Sequence, residues 1–130
     1  MLKKITPNIM VKDVNKTIEF YKEVLGFELI NTVPESGEYE WAQVKLGKVE
    51  LMFQTQASLV KGIAGFEGVS PFATIVFYIE VEGLQVLYDR IKQKVKIVDD
   101  IHETFYGMKE FCIEDCNGYF LTFAGIIPMS

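Results

Sequence analysis

The sequence predicts an α+β fold of two tandem βαβββ modules that curl around a shared cavity, with the helices on the outer faces. Three observations predict it. A strand–helix–strand pattern occurs twice, and Ile9-Met10-Val11 and Phe20-Tyr21 in the first copy answer Phe77-Tyr78-Ile79 and Leu87-Tyr88 in the second. A glycine-centred hairpin closes each copy, at Gly47 and at Gly118. The chain has 130 residues, enough for one compact domain or two small modules sharing a core.

The first module is read over about residues 1–55. Lys3 to Val11 is a strand, with Ile5, Ile9 and Val11 on one face and Thr6, Asn8 and Met10 on the other. Asp13 is an N-cap for the helix VNKTIEFYKEVLG, and Gly26 stands where a C-terminal glycine belongs. Ile18, Tyr21, Val24 and Leu25 form its apolar stripe. Phe27 to Thr32, Tyr39 to Leu46 and Val49 to Gln54 are the three strands that follow. Their alternation places Trp41, Gln43, Glu50, Met52 and Gln54 on one face.

Gln56 to Phe72 has no period and reads as a linker. The second module, residues 73–130, opens with a strand from Ala73 to Glu80 and a helix from Gly83 to Lys94. Lys96 to Val98 is a short strand, and Asp99 to Met108 is a polar loop that contains His102, Phe105 and Tyr106. The closing hairpin, YGMKEFCIEDCNGYFLTF, turns at Asp115-Cys116-Asn117-Gly118, where Asn-Gly supplies positive φ.

Composition excludes several function classes. Apolar residues make 49% and charged residues 24%, an ordinary globular balance. No apolar run approaches the roughly 20 residues that span a bilayer, and the N-terminal stretch lacks a signal peptide's apolar centre, so a cytoplasmic protein with no membrane partner is expected. The net charge of −5 and the single arginine, Arg90, give no basic stripe for nucleic acid. Cys112 and Cys116 are expected as one packed and one turn thiol, without disulfide or zinc.

The strand faces that turn away from the helices carry the candidate chemistry. Asn8, Trp41, Glu50, Met52, Tyr78, Tyr106 and Thr122 form an aromatic, lightly polar lining suited to an organic ligand. By alternation Glu110 and Cys112 join it. Taken as residue types alone, Trp41, Met52 and Tyr78 read more readily as core or as a dimer contact than as a ligand lining. Glu50 is a lone acid among apolar neighbours, a position that demands a partner, a proton or a cation. His102, the only histidine, would have to serve any histidine-dependent acid–base step. No phosphate loop, nucleophile elbow or histidine-rich motif assigns a catalytic residue.

VKDVNKTIEFYKEVLGFEL and YGMKEFCIEDCNGYFLTF resemble the two module signatures of the vicinal-oxygen-chelate superfamily, the glyoxalase / bleomycin-resistance / extradiol-dioxygenase group, with Cys116 where proline is usual. The resemblance spans nearly the whole chain. It implies four metal-ligand positions at Thr6, Glu50, Thr74 and Thr122, of which only Glu50 keeps a ligand type. It therefore points to the metal-free bleomycin-resistance branch, whose T-P-N opening is similar to Thr6-Pro7-Asn8. That branch implies a homodimer without a cofactor, sequestering an aromatic or cationic small molecule in an interface cavity. A glyoxalase-like lyase or isomerase with an unusually held metal, and a ligand-sensing module without turnover, are the competing readings.

Overall fold

The computed structural model describes residues 1–72 and 74–127. Two four-stranded sheets follow one another along the chain. Residue contacts divide the molecule into a unit spanning Met1–Pro71 and a second beginning at Phe72.

The first unit contains β1 (Asn8–Val11), α1 (Val14–Glu23), β2 (Glu28–Val33), β3 (Trp41–Leu46), β4 (Val49–Thr55) and α2 (Gln56–Gly62). The second contains β5 (Val76–Glu80), α3 (Leu84–Ile91), β6 (Lys96–Glu103), β7 (Met108–Glu114) and β8 (Phe120–Ile126). The sheet orders are β1-β4-β3-β2 and β5-β8-β7-β6. In each, the first strand lies parallel to the last and the other pairs are antiparallel. The expected duplication of a βαβββ plan is thus present in both sheets.

Local signals explain most element ends. The Asp13 side chain accepts from the Lys16 N–H at 3.0 Å and starts α1. Gly26 takes φ 85° just beyond that helix. The helix buries Val14, Ile18 and Tyr21, and the Tyr21 ring meets Phe27 and Phe53 at 5.4 and 4.8 Å between centroids. In the second unit Tyr88 of α3 meets Phe111 edge-on at 5.1 Å, and Phe111 meets Phe123 at 5.4 Å. Each helix covers one face of its own sheet, α1 over β3 and β4 and α3 over β7 and β8.

Four expectations are corrected. The first strand begins at Asn8 rather than Lys3, because Pro7 has no N–H for a ladder; Ile5 is left exposed. Gln56 to Gly62 is a helix, not linker: the Thr55 hydroxyl caps it by accepting from the Ser58 N–H, Leu59 is its buried residue, and the helix lies against β1 and β4. Its single buried residue could show no period. The strand β6 continues to Glu103, so His102 lies in a strand opposite Glu110 and not in a loop. Two register shifts, at Ile97/Asp99 and Asp99/His102, break its alternation and hide it. In the closing turn only Gly118 has positive φ; Asn117 does not. The Asp115 carboxylate instead accepts from the N–H groups of Asn117 and Tyr119, both at 2.8 Å. A fifth difference is smaller: β5 begins at Val76, while Ala73 lies outside the described residues.

Candidate functional site

In each sheet, the strand face opposite the helix carries the polar and aromatic side chains that the alternation selects. In the first unit β4 presents Glu50, Met52 and Gln54, and β3 presents Trp41 and Gln43. The register sets Gln43 opposite Met52 and Trp41 opposite Gln54. Asn8 stands opposite Met52 on the other side.

These groups are tied together. Glu50 receives the Lys4 ammonium on one carboxylate oxygen and the Gln43 amide on the other, at 2.9 Å for the amide. The Lys4 contact, aided by the charge of Lys45, lowers the Glu50 pKa against the opposing effect of desolvation. Asn31 donates to the Gln43 carbonyl oxygen at 3.2 Å. Asn8 donates to Gln54 at 2.7 Å, and Gln54 donates to Ser58 at 2.8 Å. Glu50 thus has its partner, one that lies 46 residues away in sequence.

The second unit arranges its acid differently. Glu110 on β7 is only 7% exposed. The hydroxyls of Tyr78 and Tyr106 both donate to its Oε2, each at 2.6 Å. Tyr78 stands on β5, two strands away, and crosses above β8 to reach it. Ala124 is the β8 residue opposite Glu110 and is fully buried; its small side chain leaves that path open. The Glu110 hydrogen bond and burial raise the pKa of both tyrosines, so they remain proton donors.

Thr122 is half-buried, opposite Tyr78 on one side and Cys112 on the other. Thr74 lies outside β5 and is exposed, so the register sets Tyr78, not Thr74, beside Thr122. His102 stands across from Glu110 but holds the Asp100 carbonyl at 2.8 Å through Nδ1, with Asp99 at 3.8 Å. The Asp100 carbonyl chiefly raises its pKa, with the carboxylates of Asp99 and Glu110 adding to the effect. Phe105, fully exposed, packs edge-on against Tyr106 at 5.0 Å.

Within the first unit, then, Asn8, Trp41, Glu50 and Met52 share one face, and within the second, Tyr78, Tyr106 and Thr122 share another. The second face gains its charged centre from Glu110. Alternation placed Glu110 there, but its role depends on tyrosines whose approach no local pattern reveals. None of these residues lines the cavities of about 450 and 310 Å³ at the α3 end of the second sheet, or that of about 540 Å³ beside Pro34 and Tyr39.

A protein-family model, the Glyoxalase/Bleomycin resistance protein/Dioxygenase superfamily, matches residues 3–123. The chain belongs to this superfamily. Solved structures of similar fold include TioX from Micromonospora sp. ML1, at 14% identity and a TM-score of 0.76, with 96% of this chain and 99% of that one covered. A glyoxalase/bleomycin resistance protein/dioxygenase from Nocardioides is 17% identical with a TM-score of 0.75, covering 100% and 87%. A family enzyme from Burkholderia phytofirmans PsJN is 17% identical with a TM-score of 0.74, covering 94% and 97%. At these identities the likeness shows the fold alone. No curated protein matches the sequence.

The superfamily's metal positions, carried onto Thr6, Glu50, Thr74 and Thr122, and with Tyr78 in place of Thr74 by the observed register, offer three hydroxyls and one carboxylate already bound by an ammonium. Divalent metals of the zinc, nickel and manganese type take imidazole, thiolate or carboxylate donors, so this set does not fit them. Among the described residues no group of three or more His, Cys, Asp or Glu could hold a metal ion. No helix among them is long and apolar enough to cross a membrane.

Proposed function

We propose that this chain is a metal-free small-molecule binding protein of the bleomycin-resistance-like type. It acts as a cytoplasmic homodimer and sequesters an aromatic or cationic ligand in a groove at the subunit interface. The observation that carries the reading is the state of Glu50. The one family ligand position that keeps a carboxylate is committed to Lys4 and Gln43, and the residues at the others carry only hydroxyls. What the strand faces offer instead is area for stacking and hydrogen bonding. Trp41 and Met52 are half-buried, and Tyr78 and Tyr106 are half-exposed.

Trp41 is the single tryptophan and so reports its own surroundings. Titration with a bleomycin-type ligand is expected to quench its fluorescence saturably, at a fixed stoichiometry per protomer. No change at high ligand concentration would overturn the drug-binding reading. Protein purified without a tag is expected to carry no stoichiometric metal. Nickel, zinc, manganese or iron at one per chain, with an activity lost on chelation, would replace this reading with the lyase or isomerase one.

A further inference from the structure

The geometry points to Glu110 as a subsite for a protonated amine, walled by Tyr78 and Tyr106. This deepens the binding reading above by naming the charged group of the ligand, and it rests on that reading.

Three features of the carboxylate lead there. First, both phenol hydroxyls go to the same oxygen, Oε2. Among the described residues Oε1 accepts no hydrogen bond, and since no described side-chain oxygen is both buried and unpartnered, Oε1 keeps contact with solvent. One acceptor oxygen of a largely buried group therefore stays accessible with its capacity unused. Secondly, Glu110 makes no ion pair among the described residues, whereas Glu40, Glu50, Asp89 and Glu114 each have a lysine. His102, the nearest titratable base across the ladder, is turned to Asp100 and Asp99. Two phenol donors satisfy Oε2 but leave the charge uncompensated. Thirdly, the flanking rings of Tyr78 and Tyr106 are about half exposed, at 50% and 52%.

The ligand chemistry follows. A neutral molecule covering this face would remove water from an anion without replacing the solvation it loses. An ammonium group supplies the missing charge, an N–H for Oε1, and attraction to the tyrosine ring faces. A quaternary ammonium supplies the charge without the N–H. A metal cation would find one free carboxylate oxygen and two protonated phenols, far short of the six to eight oxygens a calcium ion collects.

The test uses the full-length protein, isotope-labelled, and three probes of one shape at neutral pH: phenethylamine, phenethyltrimethylammonium and phenethyl alcohol. Nuclear magnetic resonance titration is expected to rank them in that order, with the amine bound about tenfold more tightly than the alcohol. Shifts should centre on residues 78, 106 and 110. Glu110→Gln is expected to remove the preference for the amine, bringing the ratio of amine to alcohol affinity to about one. Equal binding of amine and alcohol to the wild-type protein would overturn the subsite while leaving the binding-protein reading in place. Amine shifts centred on Glu50 and Trp41 would do the same, and need no variant to fold. A Glu110→Gln protein that keeps the amine preference would also overturn it. Binding of none of the probes overturns the subsite, and the Trp41 titration then decides the broader reading separately.

Discussion

Each unit holds a carboxylate on the strand face opposite its helix, Glu50 in the first and Glu110 in the second, and stabilises it by different means. If Glu50 and Thr122 correspond, as the family resemblance implies, then Met52 corresponds to Ala124, and Gln43, opposite Met52, corresponds to Glu110, opposite Ala124. In the first unit the acid is on the last strand and the amide beside it; in the second a hydroxyl is on the last strand and the acid beside it. Lys4 neutralises Glu50, whereas Tyr78 and Tyr106 only hydrogen-bond Glu110. Duplication has kept the ladder and moved the charge. The lesson is that a carboxylate with an ammonium partner is a finished structural element, while one held by neutral donors retains the capacity to attract a cation.

The same correspondence pairs Phe53 with Gly125, and here the largest effect is expected. Phe53 is fully buried against the Tyr21 ring. Phe53→Ala should cost about 3–5 kcal/mol by urea denaturation, since it removes a core aromatic and leaves a cavity. At Gly125 the constraint is reversed. A Cβ there would lie 3.0 Å from Leu84 Cβ and 3.4 Å from the Val81 carbonyl oxygen, because the first turn of α3 comes down onto β8. Leu84 Cβ is close to the backbone and yields little, so Gly125→Ala should cost about 1–3 kcal/mol by overpacking. If the two substitutions proved equal, or Gly125→Ala were neutral, the claim that the modules fill equivalent positions differently would fail.

How much of this could be read in advance depends on the distance over which each feature is decided. The Asp13 cap, the Gly26 stop and the place of both hairpins are settled within a few residues and were legible, although the closing turn is made by Asp115 rather than by a positive φ at Asn117. The continuation of β6 was not, because two bulges removed the alternation that marks a strand. The helix Gln56–Gly62 was not, because one buried leucine carries no period. The site divides in the same way. Alternation alone put Glu50, Tyr78 and Glu110 on the strand faces opposite the helices. That Glu50 is quenched and Glu110 is not depends on Lys4 and Tyr78, which lie 46 and 32 residues from their partners. A one-dimensional pattern gives the face of a side chain and not the company it keeps there.

The smallest effect is a difference in pH response. The Glu50 pKa is lowered, chiefly by Lys4. Its contribution to stability is therefore complete above the unfolded carboxylate pKa and is lost as pH falls through the folded one. Tyr78 and Tyr106 have raised pKa values, chiefly through Glu110. Their contribution is complete below the ordinary tyrosine pKa of about 10 and declines as pH rises beyond it, because the unfolded phenol ionises first. The first unit's face should thus weaken on the acid side and the second's on the alkaline side. Thermal midpoints measured across pH should show Glu50→Gln flattening the acid limb and Tyr78→Phe flattening the alkaline limb. Tyr88, held by Asp100, and the buried Tyr119 also titrate late, so Tyr78→Phe should make the alkaline limb shallower without removing it. An alkaline limb unchanged by Tyr78→Phe would mean that the hydroxyl is not held by Glu110 in solution, and the contrast between the two faces would then rest on Lys4 alone.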